Sequence, residues 1–341
     1  MHSSGHLPPS VWKMSISGLR AEVLERGRRF AWSQWAQMGV LAASDRRDVW
    51  SADPEALLLF TFEIGRDDPR LFDEVLDWML VNDRMVSVQR LHNLARDDAD
   101  RALVNATVTW ASRSRPRGAS APGRENIEGR PLFRGVSSPV LDPDPSFSAH
   151  GLLKPRVDGS GNSRPPDLAL PINFGFRLRH LLGLGARAEV MRVLLGEGAP
   201  YLSAQVVTAS AGYSKRNVLE ALGSLASAGV IDSFLVGNEQ RFSAPSDRWA
   251  RLLAIPSEQV PVHRDWPALL WALRRTARWL ACPEHESLSS YMRASEARRL
   301  VDEIGPELSF AGVRVVDRGS RGADYWTDFV ATVRGAVDRL E

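Results

Sequence analysis

The sequence predicts a mainly α-helical protein that carries a small β-hairpin. Three observations support this. Apolar residues recur at helical spacing over residues 1–110 and again beyond residue 171. Residues that favour helix starts stand directly before several of these periodic runs. Two β-rich segments, 230–236 and 240–244, are separated by Gly237 and Asn238, a turn pair.

In the N-terminal region, Asp53 is followed by Pro54, and Pro is favoured at the first helical position. A helix over residues 56–64 is expected to follow. Asp68 and Pro69 repeat the device before residues 71–81, where Leu71, Val75, Trp78 and Met79 share the inward face. Ser87 opens a further helix with Val88, Leu91 and Leu94. This order also fits a degenerate helix-turn-helix with Gln89, Arg90 and Asn93 as its polar face. Residues 1–110 hold 13 basic and 16 acidic side chains, and that net negative charge favours an α-helical partner or regulatory domain. Residues 111–170 change character, with RSRPR at 113–117 followed by runs rich in Pro, Gly and Ser. Few large apolar residues recur there to offset the entropy of ordering the chain, so a largely disordered linker is expected.

Residues 171–255 regain periodicity. FGFRLRHLLGL at 174–184 predicts a helix, with Arg177, Arg179 and His180 able to touch phosphates. Val190, Val193 and Leu194 then mark one face of a helix that begins after Gly185. Ser203 is a good N-cap for a short helix carrying Val206 and Val207. Gly212 supplies a tight turn. Ser214 caps a third helix, 214–228, with Val218, Leu222 and Leu225 inward and Lys215, Arg216, Asn217 and Glu220 outward. Gly229 suits its C-terminal end.

Helix, helix, turn, helix and hairpin, over 186–244, resemble the winged helix-turn-helix of MarR/ArsR-like transcriptional regulators. The similarity lies in LSAQVVTASAGYSKRNVLEALGSLASAGVIDSFLVGNEQRFSA, residues 202–244. The resemblance implies a DNA-binding domain at 171–255, probing double-stranded DNA as a homodimer. Ser214, Lys215, Arg216 and Asn217 would enter the major groove, where Arg suits guanine and Asn suits adenine, and Ser203 would also contact DNA. Asn238 and Arg241 would touch the duplex from the wing, although Glu239 stands at the tip where many relatives carry a basic residue. The function implied is transcription regulation, as a repressor. The alternatives are a winged-helix scaffold for protein contacts, and a self-repressing antitoxin or phage-defence component.

Residues 256–341 predict an α-helical C-terminal domain for effector binding or dimerisation. Trp266, Leu270, Leu273, Ala277 and Leu280 form one stripe, and Trp326, Phe329, Val330, Val333, Val337 and Leu340 another. Both are candidate core or dimer surfaces. Val313, Arg314, Val315 and Val316 suggest a strand.

The whole chain of 341 residues has a net charge of only +2, so it provides no global field for nucleic acid. The excess is local: residues 171–255 carry nine basic and six acidic side chains. Cys282 is the lone cysteine, which predicts a reducing, cytoplasmic and nucleoid-associated setting. No apolar run approaches a membrane span. Cys282 and His285 fall short of the four ligands of a structural zinc site, so no metal is expected. Phosphate-loop, dinucleotide, GxSxG and HExxH motifs are missing, so neither a cofactor nor an enzyme is expected.

Overall fold

The computed structural model describes residues 14–43, 49–112, 129–135, 139–197, 199–255 and 260–341. The protein is mainly α-helical with small sheets, as expected. α1 spans Ile16–Gln37. α2 (Pro54–Ile64) starts at Asp53, whose carboxylate accepts the Ala56 N–H, with Pro54 in the first turn. α3 (Pro69–Asn82) starts the same way, with Asp68 accepting from Leu71. Ser87 caps α4 (Val88–Leu94) through the Arg90 N–H, and Asp97 caps α5 (Asp98–Ala111) through the Asp100 N–H.

The stretch expected to be a disordered linker is packed in part where it is described, while residues 156–162 are exposed and lie outside any helix or strand. β1 (Arg130–Pro131) pairs in parallel with β2 (Leu152–Leu153), and α6 (Pro145–Ser148) lies between them in sequence. Leu132, Phe133, Phe147 and Leu152 are buried. The Phe72 ring of α3 meets those of Phe133 and Phe147 at centroid distances of 5.6 and 5.9 Å. Lys154, also buried, reaches the Asp73 carboxylate at 2.7 Å. Burial pushes the Asp73 carboxyl up in spite of that cation. A few aromatic residues suffice here because α3 already offers them an apolar face. The Arg- and Pro-rich run 113–128 lies outside the described residues.

Next come α7 (Phe174–Leu182), α8 (Ala186–Gly196), β3 (Leu202–Ser203), α9 (Ala204–Ala211) and α10 (Lys215–Ser227). β4 (Asp232–Val236), β5 (Glu239–Ser243) and α11 (Ser246–Leu253) complete this stretch. The strands form an antiparallel sheet in the order β3-β5-β4. Val190 and Val193 of α8, Val207 of α9, and Val218, Leu222 and Leu225 of α10 share one core with Phe242 and Trp249.

The last helices are α12 (Trp266–Leu280), α13 (Pro283–Glu286), α14 (Ser290–Phe310) and α15 (Tyr325–Asp338). Both apolar stripes predicted in this tail are buried. The expected strand at 313–316 is irregular: the Val316 N–H goes to the Thr332 hydroxyl at 2.9 Å instead of a neighbouring strand.

The chain divides into two compact units, residues 31–267 and residues 1–30 with 268–341. This grouping differs from the four-part division read from composition. α2 to α5 share a unit with residues 171–255, and the start of α1 belongs with the tail. In that second unit the Arg334 guanidinium holds Glu22 at 2.9 Å, and the rings of Trp279, Trp326 and Phe329 pack together.

Within the larger unit, three carboxylates and three guanidiniums form one buried cluster. Asp53 accepts from Arg90 at 2.5 Å through each oxygen and from Arg192 at 3.2 Å. Glu55 accepts from Arg90 at 2.8 Å and from Arg179 at 2.7 and 2.9 Å. Glu189 accepts from Arg179 at 2.7 Å and from Arg192 at 2.9 Å. All six residues are buried. Burial alone would raise the two carboxyls Asp53 and Glu189, but the facing guanidiniums outweigh it and hold both below the usual carboxylate range. Burial would likewise discharge Arg90 and Arg179, and the carboxylates raise both above the ordinary arginine value.

Removing one member of such a set leaves a buried charge unpaired. Arg90→Met is expected to lower the unfolding free energy by about 3–5 kcal/mol, read from urea titration; a loss below about 1 kcal/mol would mean that the carboxylates find other partners. The pH dependence has a definite sign. Asp53 and Glu189 are depressed in the folded chain, so their stabilisation is complete above the unfolded carboxylate range, near pH ~4. It is lost as the pH falls toward their folded values. The urea midpoint should therefore fall on acidification from about pH 5 to about pH 2, and less steeply in Glu189→Gln than in the parent chain.

Candidate nucleic-acid interface

α9 and α10 are joined by Gly212 and Tyr213. Gly212 has φ +68°, the left-handed region that a Cβ disfavours. A Cβ there would also meet Leu94 Cδ2 at 3.0 Å and Arg90 Nε at 3.2 Å. The turn is held by α4 at three points. Arg90 Nε donates to the Ala211 carbonyl at 2.7 Å, Asn93 Nδ2 to the Gly212 carbonyl at 3.3 Å, and the Tyr213 hydroxyl to Ser87 Oγ at 2.9 Å.

α10 begins at Ser214, whose hydroxyl accepts the Asn217 N–H at 3.2 Å. Its inner face, Val218, Ala221, Leu222 and Leu225, is buried. Its first turn is not: Ser214, Lys215 and Arg216 are exposed and Asn217 is half-buried. Arg216 pairs with Glu220 at 2.9 Å one turn along the same exposed face. Asn217 and Glu220, with Leu182, Gly183 and Arg187, line an open hollow beside α10.

The hairpin turns at Gly237 and Asn238, and Asn238 is exposed at its tip. Arg241 is not a free wing cation. It pairs with Glu239 at 2.8 Å, and its guanidinium lies 6.0 Å from the centre of the Tyr201 ring. Ser203 is 5% exposed and spends its hydroxyl on the Val206 N–H, so it caps α9 and offers nothing at the surface. The structure brings Ser214, Lys215, Arg216 and Asn217 together, and leaves Ser203 out.

Two more basic residues change role. Arg179, expected to touch phosphate, is buried against Glu55 and Glu189. Arg90, expected on a polar face, is buried against Asp53 and Glu55. Arg177 donates to the Leu253 carbonyl, and His180 remains exposed. The charged cluster was not anticipated, yet a signal for it exists. Residues 56–62 are apolar but for Thr61, on every side of a helix, and must be buried, so the acids beside them need cations. A further surface not anticipated is β4, which exposes Phe234, Leu235 and Val236 at 38, 74 and 44%.

Among the described residues no helix is long and apolar enough to cross a membrane, and no group of three or more His, Cys, Asp or Glu is placed to hold a metal. The Cys282 thiol donates to Glu284, and the His285 ring lies against Trp279. Comparison with protein-family models, curated proteins and solved structures found no match to this chain.

Two glycines near this surface should respond in opposite directions to alanine. Gly212→Ala, strained at positive φ and crowded by α4, should cost about 1–2 kcal/mol of stability. Gly223→Ala lies within α10 with open space where its Cβ would stand, and should gain up to about 1 kcal/mol from helix propensity. Urea midpoints of the two variants check this; a stabilising Gly212→Ala would contradict the geometry of the turn.

Proposed function

We propose that residues 186–244 form a winged helix-turn-helix that reads double-stranded DNA through α10, and that the protein is a DNA-binding transcriptional regulator acting as a repressor. The observation that carries this reading is the first turn of α10. It presents Ser214, Lys215 and Arg216 to solvent on a helix whose opposite side is fixed in a core. A helix of that kind fits the major groove, and its free N-terminal N–H groups suit a phosphate. Arg216 and Asn217 are the base-reading residues, Lys215 and Asn238 contact the backbone, and the chain acts in the cytoplasm, at the nucleoid. A homodimer on a two-fold site doubles these contacts; an effector or protein partner supplies the signal.

Docking of a protein on the wing is the second reading, favoured by the exposed Phe234, Leu235 and Val236. The two readings separate experimentally. Selection from random duplexes with the full chain should enrich a defined sequence. Arg216→Ala and Asn217→Ala should each weaken that site roughly tenfold to a hundredfold and relax preference at one position. Arg241→Ala should weaken all sequences alike or, because Glu239 already neutralises it, leave binding unchanged. Equal losses for all three variants on selected and scrambled duplexes would reduce the protein to nonspecific binding. No enrichment at all would leave the protein-docking reading.

A further inference from the structure

α4 has two sides. Arg90 and Leu91 are buried, and Gln89 and Asn93, one helical turn apart, are exposed and share the other face. That face adjoins the turn that enters α10. Asn93 donates to the Gly212 carbonyl, and the space a Gly212 Cβ would fill is bounded by Leu94 and Arg90 of α4. Ser87, Arg90 and Asn93 thus hold α4 against residues 211–213, and the exposed Gln89 and Asn93 lie on a helix beside the turn that leads to Ser214, Lys215 and Arg216.

The sequence offered Gln89, Arg90 and Asn93 together as a polar face. Burial removes the arginine and leaves two carboxamides. A carboxamide donates and accepts at once, which matches an adenine edge, and its N–H groups also serve phosphate oxygens. Of the acids that follow α4, Asp97 accepts the Asp100 N–H and Asp98 pairs with Arg101 at 2.8 Å, so contact by α4 would rest on its carboxamides and not on positive charge.

We infer that α4 is a second DNA-contacting helix, with Gln89 and Asn93 touching the duplex beside the groove that α10 enters. The inference rests on the DNA-reading proposal and extends it: the contacted site is longer than one helix covers and is lengthened on the α4 side.

The test uses the full chain and duplexes that the parent protein selects from a random pool. Gln89 is the informative position, because Asn93→Ala also removes a contact that places α10. Gln89→Ala should weaken the selected site about tenfold and shorten the hydroxyl-radical footprint at one end, with an unchanged urea midpoint. Gln89→Lys should tighten binding to every duplex and steepen its salt dependence by about one unit of slope, and Gln89→Glu should do the reverse. If all three variants match the parent in affinity and footprint while Arg216→Ala loses binding, α4 stands off the DNA and the inference is overturned with the DNA-reading proposal intact. If the parent chain selects and binds no duplex, both are overturned.

Discussion

The buried balance of three acids and three arginines is the constraint on which the larger unit depends. Each of these ions would cost several kcal/mol to bury alone. Asp53, Glu55 and Glu189 face Arg90, Arg179 and Arg192 with no net charge left over. None can be buried until the others are in place, so the segments that carry them, the start of α2, α4, α7 and α8, have to assemble together. Arginine suits this better than lysine. Its planar fork satisfies two carboxylates at once, and it keeps its charge under burial. Asp53 illustrates the economy of the arrangement: one oxygen accepts both the Ala56 N–H that starts α2 and a guanidinium N–H of Arg90.

From this cluster the geometry passes to the candidate interface by more than one route: Ser87, whose N–H goes to Glu55, accepts from Tyr213, and Arg90 reaches the turn directly. With its two terminal nitrogens on acids, Arg90 turns its Nε to the Ala211 carbonyl, one of the carbonyls left open at the end of α9. The next residue is the left-handed Gly212, and the next helix start is Ser214. The direction in which α10 leaves the turn is therefore set by α4 as well as by its own core face. The wing is held differently. All five residues of β4 are exposed, and it is attached by backbone pairing with β5 and by the Phe234 ring against Tyr201 at 5.4 Å, contacts that open more readily than a packed core.

Much of this architecture was legible in the sequence because it is local. Asp53, Asp68, Ser87, Ser203 and Ser214 all cap the helices they were expected to cap, and the inward faces of α8 and α10 follow from 3.6-residue spacing. What was not legible is long-range. Arg90 and Ala211 are 121 residues apart, and Asp53 and Arg192 are 139 apart. Periodicity reports which face of a helix is covered but not what covers it. Arginine is mostly a surface residue, so Arg90 and Arg179 read as solvent-facing until their acids are placed. The packed part of the stretch 129–170 was hidden for a related reason. Its few aromatic residues look insufficient when counted alone, and they suffice only because Phe72 of α3 waits for them. The valines at 313–316 show the converse, since strand-forming residues need a neighbouring strand, and here a threonine hydroxyl takes the N–H instead.

The cluster also changes what the charge of residues 171–255 means. Nine basic against six acidic side chains suggests a modest positive field. Arg179, Arg192 and Glu189 are buried inside the neutral cluster, which leaves seven basic against five acidic side chains in that segment. Of those seven, Arg216 is paired with Glu220 and Arg241 with Glu239. Binding driven by phosphate neutralisation loses affinity steeply with salt, in proportion to the number of phosphates met. A surface with so little uncompensated charge meets few of them per chain. If α10 reads DNA, its selectivity therefore rests on hydrogen bonds and fit at the groove more than on attraction to the backbone, and the rigid seating of the α9–α10 turn matters accordingly. A reading helix that wavered would lose directed hydrogen bonds that diffuse electrostatic attraction could not replace.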